Sequence, residues 1–385
     1  MPIIGLVGPF GSGCTTVSDT IIERGYIYVS LSNKLRELYS EKNPDKEPTR
    51  SAMQDFGNEI RETKGSSYLA QLIVKDISNA PDKNYVVDSI RNPDEASYLR
   101  TNLSQFYLFG VFAEADVRWE RVKHIYNDDR RVFDINDSRD SGKNEKDTGQ
   151  QVTETFRGSD LVILNNEVIR KGNDVDRAFK DKINEAVDYV EKKKPFRPSA
   201  IETCMAIAYA VSMRSSCLKR KVGAVIVDDL GNVFSSGYNE VPCTQKSCIQ
   251  EYGRCYRDQL KAEFRDKLGA LSLDENEQDQ VYKSFKESFK ILDYCRALHA
   301  EENAILNVAR IGASAVLSGS TLYTTTYPCN LCANKIAQVG ISSIVYFEPY
   351  PMLEAKKILE NQKVCQTPFE GVTYNGYFRL MEVIK

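Results

Sequence analysis

The chain has 385 residues, of which 42% are hydrophobic and 27% charged, and carries a formal net charge of −3. That balance allows a full core in two or three domains and leaves no basic footprint for a polynucleotide, so free nucleotides fit better. No apolar run reaches the ~18 residues of a membrane span and no signal-peptide pattern follows Met1, so a cytoplasmic protein with reduced cysteines is expected.

Residues 2–7 read as a buried strand. They run into Gly8-Pro9-Phe10-Gly11-Ser12-Gly13-Cys14-Thr15 and then a helical pattern through Ile22. A strand, a glycine loop and a helix N-terminus together cradle phosphate oxygens with backbone N–H groups. The loop fits G-x-x-x-x-G-K-[ST] except at Cys14, which stands where the lysine belongs; Thr15 keeps the hydroxyl that faces Mg²⁺. The reading is therefore a loop that binds ATP or a deoxynucleotide, with active kinase chemistry and a purely structural scaffold as alternatives. Further strands are expected at 85–88, ending in Asp88, at 106–112 and at 160–166, with a helix over 117–126 that carries Trp119 and His124. The polar stretch 127–150 reads as a lid or surface loop. This alternation predicts an α/β domain with a doubly wound parallel sheet.

Residues 1–190 resemble P-loop nucleoside-monophosphate kinases, through Asp88-Ser89-Ile90-Arg91-Asn92-Pro93 and Ser159-Asp160-Leu161-Val162-Ile163-Leu164-Asn165. The resemblance implies nucleotide binding across the strand ends, with Asp88 as a Walker-B-like acid. A lysine run and two prolines then mark 191–199 as a linker.

The second domain is read as 200–385. Ser199 caps a helix, 222–227 and 233–239 form a hairpin, and helices follow at His299, Cys329 and 352, with strands at 321–325 and 343–347 between them. This αββαβαβα order predicts a mixed sheet flanked by helices. Residues 241–298 are an insertion, charged and helical over 261–290.

His299-Ala300-Glu301 and Pro328-Cys329-Asn330-Leu331-Cys332 carry the chemistry. One imidazole and two thiolates suit Zn²⁺ with a fourth position left for water, whose pKa the metal lowers towards neutrality. Glu301 is placed to shuttle protons, and the Ala300 N–H to receive a pyrimidine carbonyl. Both halves read as helix N-termini, where the dipole favours thiolate. A structural zinc or a chance C-x-x-C is the bland alternative. The whole H-x-E…P-C-x-x-C pattern is the signature of zinc-dependent nucleobase deaminases.

Val222 to Val227, Gly237-Tyr238-Asn239, His299 to Ile305, Pro328 to Ala333 and Val345 to Tyr350 resemble the deoxycytidylate deaminase family. Asn303, within H-A-E-x-N-A-I, favours this family over tRNA adenosine deaminases. The resemblance implies hydrolysis of dCMP, dCTP or both to deoxyuridine nucleotides and ammonia, in a homo-oligomer, with Asn239 near the sugar and Tyr350 near the base. Arg214, Lys219, Arg220 and Lys221 offer cations for the 5′-phosphate, Arg220 foremost. Some relatives hold a second, structural zinc; Cys243, Cys248, Cys255 and Cys295 would permit one here, but the spacings 243/248/255 are not C-x-x-C pairs, and the other reading is free thiols packing the loop. A P-loop domain ahead of such a deaminase resembles bacterial antiviral enzymes that deplete deoxycytidine nucleotides. The alternatives are a deaminase of another cytosine or adenosine substrate, including nucleic acid, and a nucleotide-sensing protein. A regulatory RNA or protein partner is left open.

Overall fold

The computed structural model describes residues 1–44, 47, 49–142, 149–166, 174–288, 294–348 and 353–381. The chain splits into two compact units, Met1–Glu202 with Glu370–Lys385, and Thr203–Phe369. In chain order the strands are β1 (Ile3–Val7), β2 (Ile27–Ser30), β3 (Tyr85–Asp88), β4 (Phe106–Phe112), β5 (Leu161–Leu164), β6 (Gly223–Val227), β7 (Val233–Tyr238), β8 (Thr321–Thr326), β9 (Ser343–Glu348), β10 (Cys365–Pro368) and β11 (Gly371–Val372). No helix among the described residues is long and apolar enough to cross a membrane.

The first unit is built on one sheet of order β11-β5-β4-β1-β3-β2, parallel except for β11. β1 and β4 are buried along their whole length, which is why both read as unbroken apolar runs. The glycine loop joins β1 to the helix Cys14–Ile22, and the helix Pro93–Asn102 carries the chain from β3 across β1 to β4. The helix Pro93–Asn102 opens with a capping box, Asn92 with Glu95, and a proline in its first turn.

Three expectations for this unit change. Residues 127–150 are not all loop: the helix Arg130–Asp140 lies there, held by Phe133 in a small aromatic cluster and by the Arg118–Asp137 ion pair. Its polar sequence hid one buried apolar anchor. The stretch 191–199 is no free linker either. Glu191 pairs with Arg24 and takes a hydrogen bond from Tyr26, and Phe196 is buried against Tyr189 and Tyr377.

The end of the chain also leaves the second domain. β11 pairs antiparallel with β5, and Arg379 reaches Asp160 at 2.5 Å and the Phe106 carbonyl at 2.6 Å. Val372 and Leu380 belong to the first unit's core. A domain running to 385 is therefore corrected to one ending at Phe369, because a buried carboxylate and an unpaired sheet edge draw the last segment back.

The second unit has a five-stranded sheet of order β10-β9-β8-β6-β7. β8, β9 and β10 are parallel, and β6 runs antiparallel to both its neighbours. This is the mixed sheet expected, with β10 added beyond the expected elements. The 241–298 excursion starts and ends at one antiparallel bridge, Glu240 with Leu298, sealed by N–H···O bonds of 3.2 and 3.0 Å. It contains the helices Cys248–Tyr252, Tyr256–Gly269 and Glu275–Ser288. Because the bridge closes the excursion, the chain reaches His299 in the same place whatever the insertion's length.

Candidate metal centre

His299 is the residue before the helix Ala300–Arg310, and Cys329 the residue before the helix Asn330–Gln338. The first helix can lie on β7 only because Gly237 has no side chain: a Cβ there would sit 2.3 Å from the Ala300 oxygen and 2.4 Å from the Ala304 nitrogen. Two side-chain bonds pin the contact. Asn303 Nδ2 donates to the Tyr238 carbonyl at 2.8 Å, and Ser235 Oγ to the Ala304 carbonyl at 2.8 Å. The second helix is the crossover between the parallel strands β8 and β9.

The two helix starts converge. His299 Nδ1 lies 3.3 Å from Cys329 Sγ and 3.4 Å from Cys332 Sγ, and the three donor atoms all fall within 4.8 Å of one another. A tetrahedral zinc with ordinary Zn–S and Zn–N bonds has S···N edges of about 3.5 Å, so the donor set fits that ion. The hydrogen bond from Cys332, aided by His299, pulls the Cys329 pKa down to about 4, while that same bond and burial push Cys332 up. Cys329 is thus the sulfur held towards thiolate. The bond to Cys329 raises His299.

Glu301 is 4% exposed, and burial raises its pKa while the neighbouring His299 opposes the shift. A buried carboxyl beside a ligand set is suited to holding and passing a proton. Glu302, three residues after His299, accepts a hydrogen bond from the His299 N–H at 3.4 Å, and its Oε1 meets Lys335 Nζ of the second helix at 2.5 Å. The Glu302 half was visible as capping-box spacing. Lys335 carried no signal, since the pair spans two helices.

The other expected positions divide. Asn239 is buried, and both ends of its amide are engaged by the chain itself: Oδ1 accepts from the Val222 N–H at 2.7 Å and Nδ2 donates to the Arg220 carbonyl at 2.8 Å. The Ser215 hydroxyl donates to the Asn239 carbonyl at 2.6 Å. Asn239 thus braces the 215–222 segment that carries Arg220. Arg220 lies 3.6 Å from Glu348, Arg214 stacks on the Tyr238 ring and Lys219 pairs with Asp258 at 2.5 Å. Ala300 is fully buried at the head of its helix. Tyr350 lies outside the described residues.

Among the described residues, His299, Cys329 and Cys332 are the single group of three or more metal-ligating side chains that converge. Cys243, Cys248, Cys255 and Cys295 do not form a second one among the described residues: Cys243 is exposed, and Cys295 feels the Cys217 and Cys255 sulfurs.

In the first unit, Gly8, Gly11, Ser12 and Gly13 lie in the loop after β1, and Cys14 and Thr15 open the helix Cys14–Ile22. Gly8 passes so close to β4 that a Cβ would lie 2.4 Å from the Val111 oxygen. Gly11 and Gly13 both take positive φ. Asn165 Nδ2 donates to the Ser12 carbonyl at 2.8 Å, and Arg121 donates to the carbonyls of Gly11 and Ser12. Cys14 replaces a cation with a neutral group: burial and the nearby Asp88 carboxylate push its thiol up to about 12. Asp88 accepts bonds from the Ser89 N–H and the Tyr28 hydroxyl. Trp119 packs on Phe133, and His124 is exposed.

Residues 198–348 match the model of the cytidine and deoxycytidylate deaminase zinc-binding region. The chain is 36% identical over 152 residues to the deoxycytidylate deaminase of Enterobacteria phage T4, covering 38% of this chain and 77% of that protein. It is 34% identical over 174 residues to the deoxycytidylate deaminase of Saccharomyces cerevisiae, covering 45% of this chain and 46% of the yeast protein, less than half its length. A dCMP deaminase structure from the cyanophage S-TIM5, in complex with dCMP and dUMP, matches at 24% identity and a TM-score of 0.31, over 45% of this chain and 99% of that one.

Proposed function

Since this chain belongs to the cytidine and deoxycytidylate deaminase family, we propose that it hydrolyses the 4-amino group of deoxycytidine nucleotides, dCMP or dCTP, to give the deoxyuridine nucleotide and ammonia. The observation that carries this is the convergence of His299, Cys329 and Cys332 beside the buried Glu301.

His299, Cys329 and Cys332 would hold the zinc, which when bound would supply Lewis acidity and make a water acidic enough to be a nucleophile near pH 7. Glu301 does the proton work: it takes one proton from the water and passes it to N3, then takes the second from the hydroxyl added at C4 and passes it to the departing amine. The Ala300 N–H, at the positive end of its helix, receives the pyrimidine carbonyl oxygen. Asn239 acts through the backbone, fixing the segment from which Arg220 meets the 5′-phosphate. A contact of Tyr350 with the base rests on the family resemblance alone.

The glycine loop binds nucleotide without transferring phosphate and so regulates the second unit. The neutral Cys14 at the lysine position and the intact Gly8–Gly13 backbone support that reading. An assembly of several copies, and defence by depletion of deoxycytidine nucleotides, rest on the family and on the domain order.

Ammonia release from dCMP, dCTP, CMP and cytidine separates the substrates. Turnover of dCTP supports depletion as the purpose, and turnover of dCMP alone a biosynthetic role. Silence on all four with zinc bound and a P-loop nucleotide supplied would refute the proposal.

A further inference from the structure

Glu240 follows Asn239 just past the end of β7, at the point where the 241–298 excursion departs. Its backbone and its side chain hold different parts of the unit. The backbone exchanges two hydrogen bonds with Leu298, the residue before His299. The half-buried carboxylate accepts three more. Oε2 takes the Ser216 N–H at 2.7 Å, and Oε1 takes the Ser216 hydroxyl at 2.6 Å and the Val241 N–H at 2.9 Å.

Ser216 opens the turn that leads into β6 and carries Lys219, Arg220 and Lys221. Asn239 ties the far end of that turn, at the Arg220 carbonyl and the Val222 N–H. Two adjacent residues thus clamp both ends of one cation-bearing turn. The Arg220 guanidinium meets Glu348 at 3.6 Å. The Glu348 carbonyl in turn accepts from the Tyr327 N–H at 2.9 Å, shortly before Cys329. The turn is therefore joined to both ligand-bearing segments: to His299 through the Glu240 backbone, and to Cys329 through Arg220 and Glu348.

We propose that Glu240 is a positioning residue whose carboxylate sets this turn, so that Arg220 stands ready beside the metal centre for the 5′-phosphate of the substrate. A carboxylate is what the position requires. It presents acceptors only, and the three groups it meets are all donors; a glutamine of the same length turns its own amide N–H on one of them. Because the link to Leu298 is made by backbone, a change of the side chain leaves the approach to His299 in place and loosens the turn alone. The inference rests on the deaminase reading and on Arg220 as the phosphate contact.

Steady-state turnover of dCMP and dCTP by the zinc-loaded full chain tests this, with Glu240→Gln and Ser216→Ala made alone and in an Arg220→Met background. Glu240→Gln is expected to raise KM at least about tenfold, with zinc content unchanged and the fold intact by circular dichroism. Its kcat should stay within about threefold, the pattern of lost binding common to ground and transition states. Ser216→Ala, which removes one of the three bonds, should move KM the same way by less. In the Arg220→Met background neither change should move KM further, because both act through Arg220. The proposal is overturned if Glu240→Gln leaves KM unchanged, if it lowers kcat and zinc content together, or if it raises KM as much without Arg220 as with it. If Glu240→Gln does not fold, an unchanged KM in Ser216→Ala overturns it. Absence of ammonia release from both nucleotides by the unmodified protein, with zinc bound and a P-loop nucleotide supplied, would refute the deaminase reading itself and this inference with it.

Discussion

Lys335 Nζ lies 2.5 Å from Glu302 Oε1, joining the helix that begins after His299 to the helix that begins after Cys329. Glu302 also caps the His299 N–H. One carboxylate therefore fixes both the start of one ligand-bearing helix and its distance from the other. Partners behind metal ligands typically contribute ~10-fold or more to metal affinity. Glu302→Gln and Lys335→Met are each expected to weaken zinc retention roughly tenfold in a chelator competition, with secondary structure unchanged. Retention equal to that of the unmodified protein would show that the pair is only a surface contact.

Gly237→Ala tests how the His299 helix is seated. The added methyl meets the backbone of Ala300 and Ala304, and backbone cannot rotate aside. A loss of about 1–3 kcal/mol is expected from overpacking, read as a lower denaturant midpoint, together with loss of ammonia release.

Asn239 separates a bracing role from substrate contact. Asn239→Ala leaves the Val222 N–H and the Arg220 carbonyl without their partner, which should cost about 1–3 kcal/mol. A residue that touched only substrate would raise KM and leave the melting curve where it was.

The returning C-terminal segment gives a stability prediction for the first unit. Arg379→Met removes one of the two guanidiniums on the fully buried Asp160, leaving Arg100. Arg379 is about one-third exposed, so the loss should be about 1–3 kcal/mol rather than the full cost of breaking a buried pair. Thermal unfolding of the variant measures it.

Cys14 gives a prediction about reactivity. Its pKa of about 12, raised by burial and then by Asp88, means the thiolate appears only as pH approaches that value. Iodoacetamide near pH 8 should label the exposed Cys243 and Cys365 well before Cys14. Rapid labelling of Cys14 would show that the loop is open in solution.

The chemistry was legible because it is local: His299 with Glu301, and Cys329 with Cys332, are fixed by spacing on single helix starts. The glycine loop was legible for the same reason. What escaped was long-range or short in pattern. β11 is two residues long and has no periodicity to read. The helix Arg130–Asp140 looked like loop because Phe133 is its single buried apolar residue. Phe196 sat in a run of lysines and prolines that reads as linker until Tyr189 and Tyr377 are seen to receive it. Asn239 was noticed, but as a substrate contact; that its amide closes on Arg220 and Val222 depends on how the 215–222 segment folds back.

In the proposed reaction Glu301 moves protons beside a zinc held by His299, Cys329 and Cys332. The direct measurement is ammonia release from dCMP and dCTP by the zinc-loaded protein and by Glu301→Gln, with zinc content determined in both. We predict equal zinc content, near one per chain, and a fall in kcat of roughly 10²–10⁴-fold in the variant, the range of a lost general acid–base group. Equal turnover by the two proteins at equal zinc content would contradict the account.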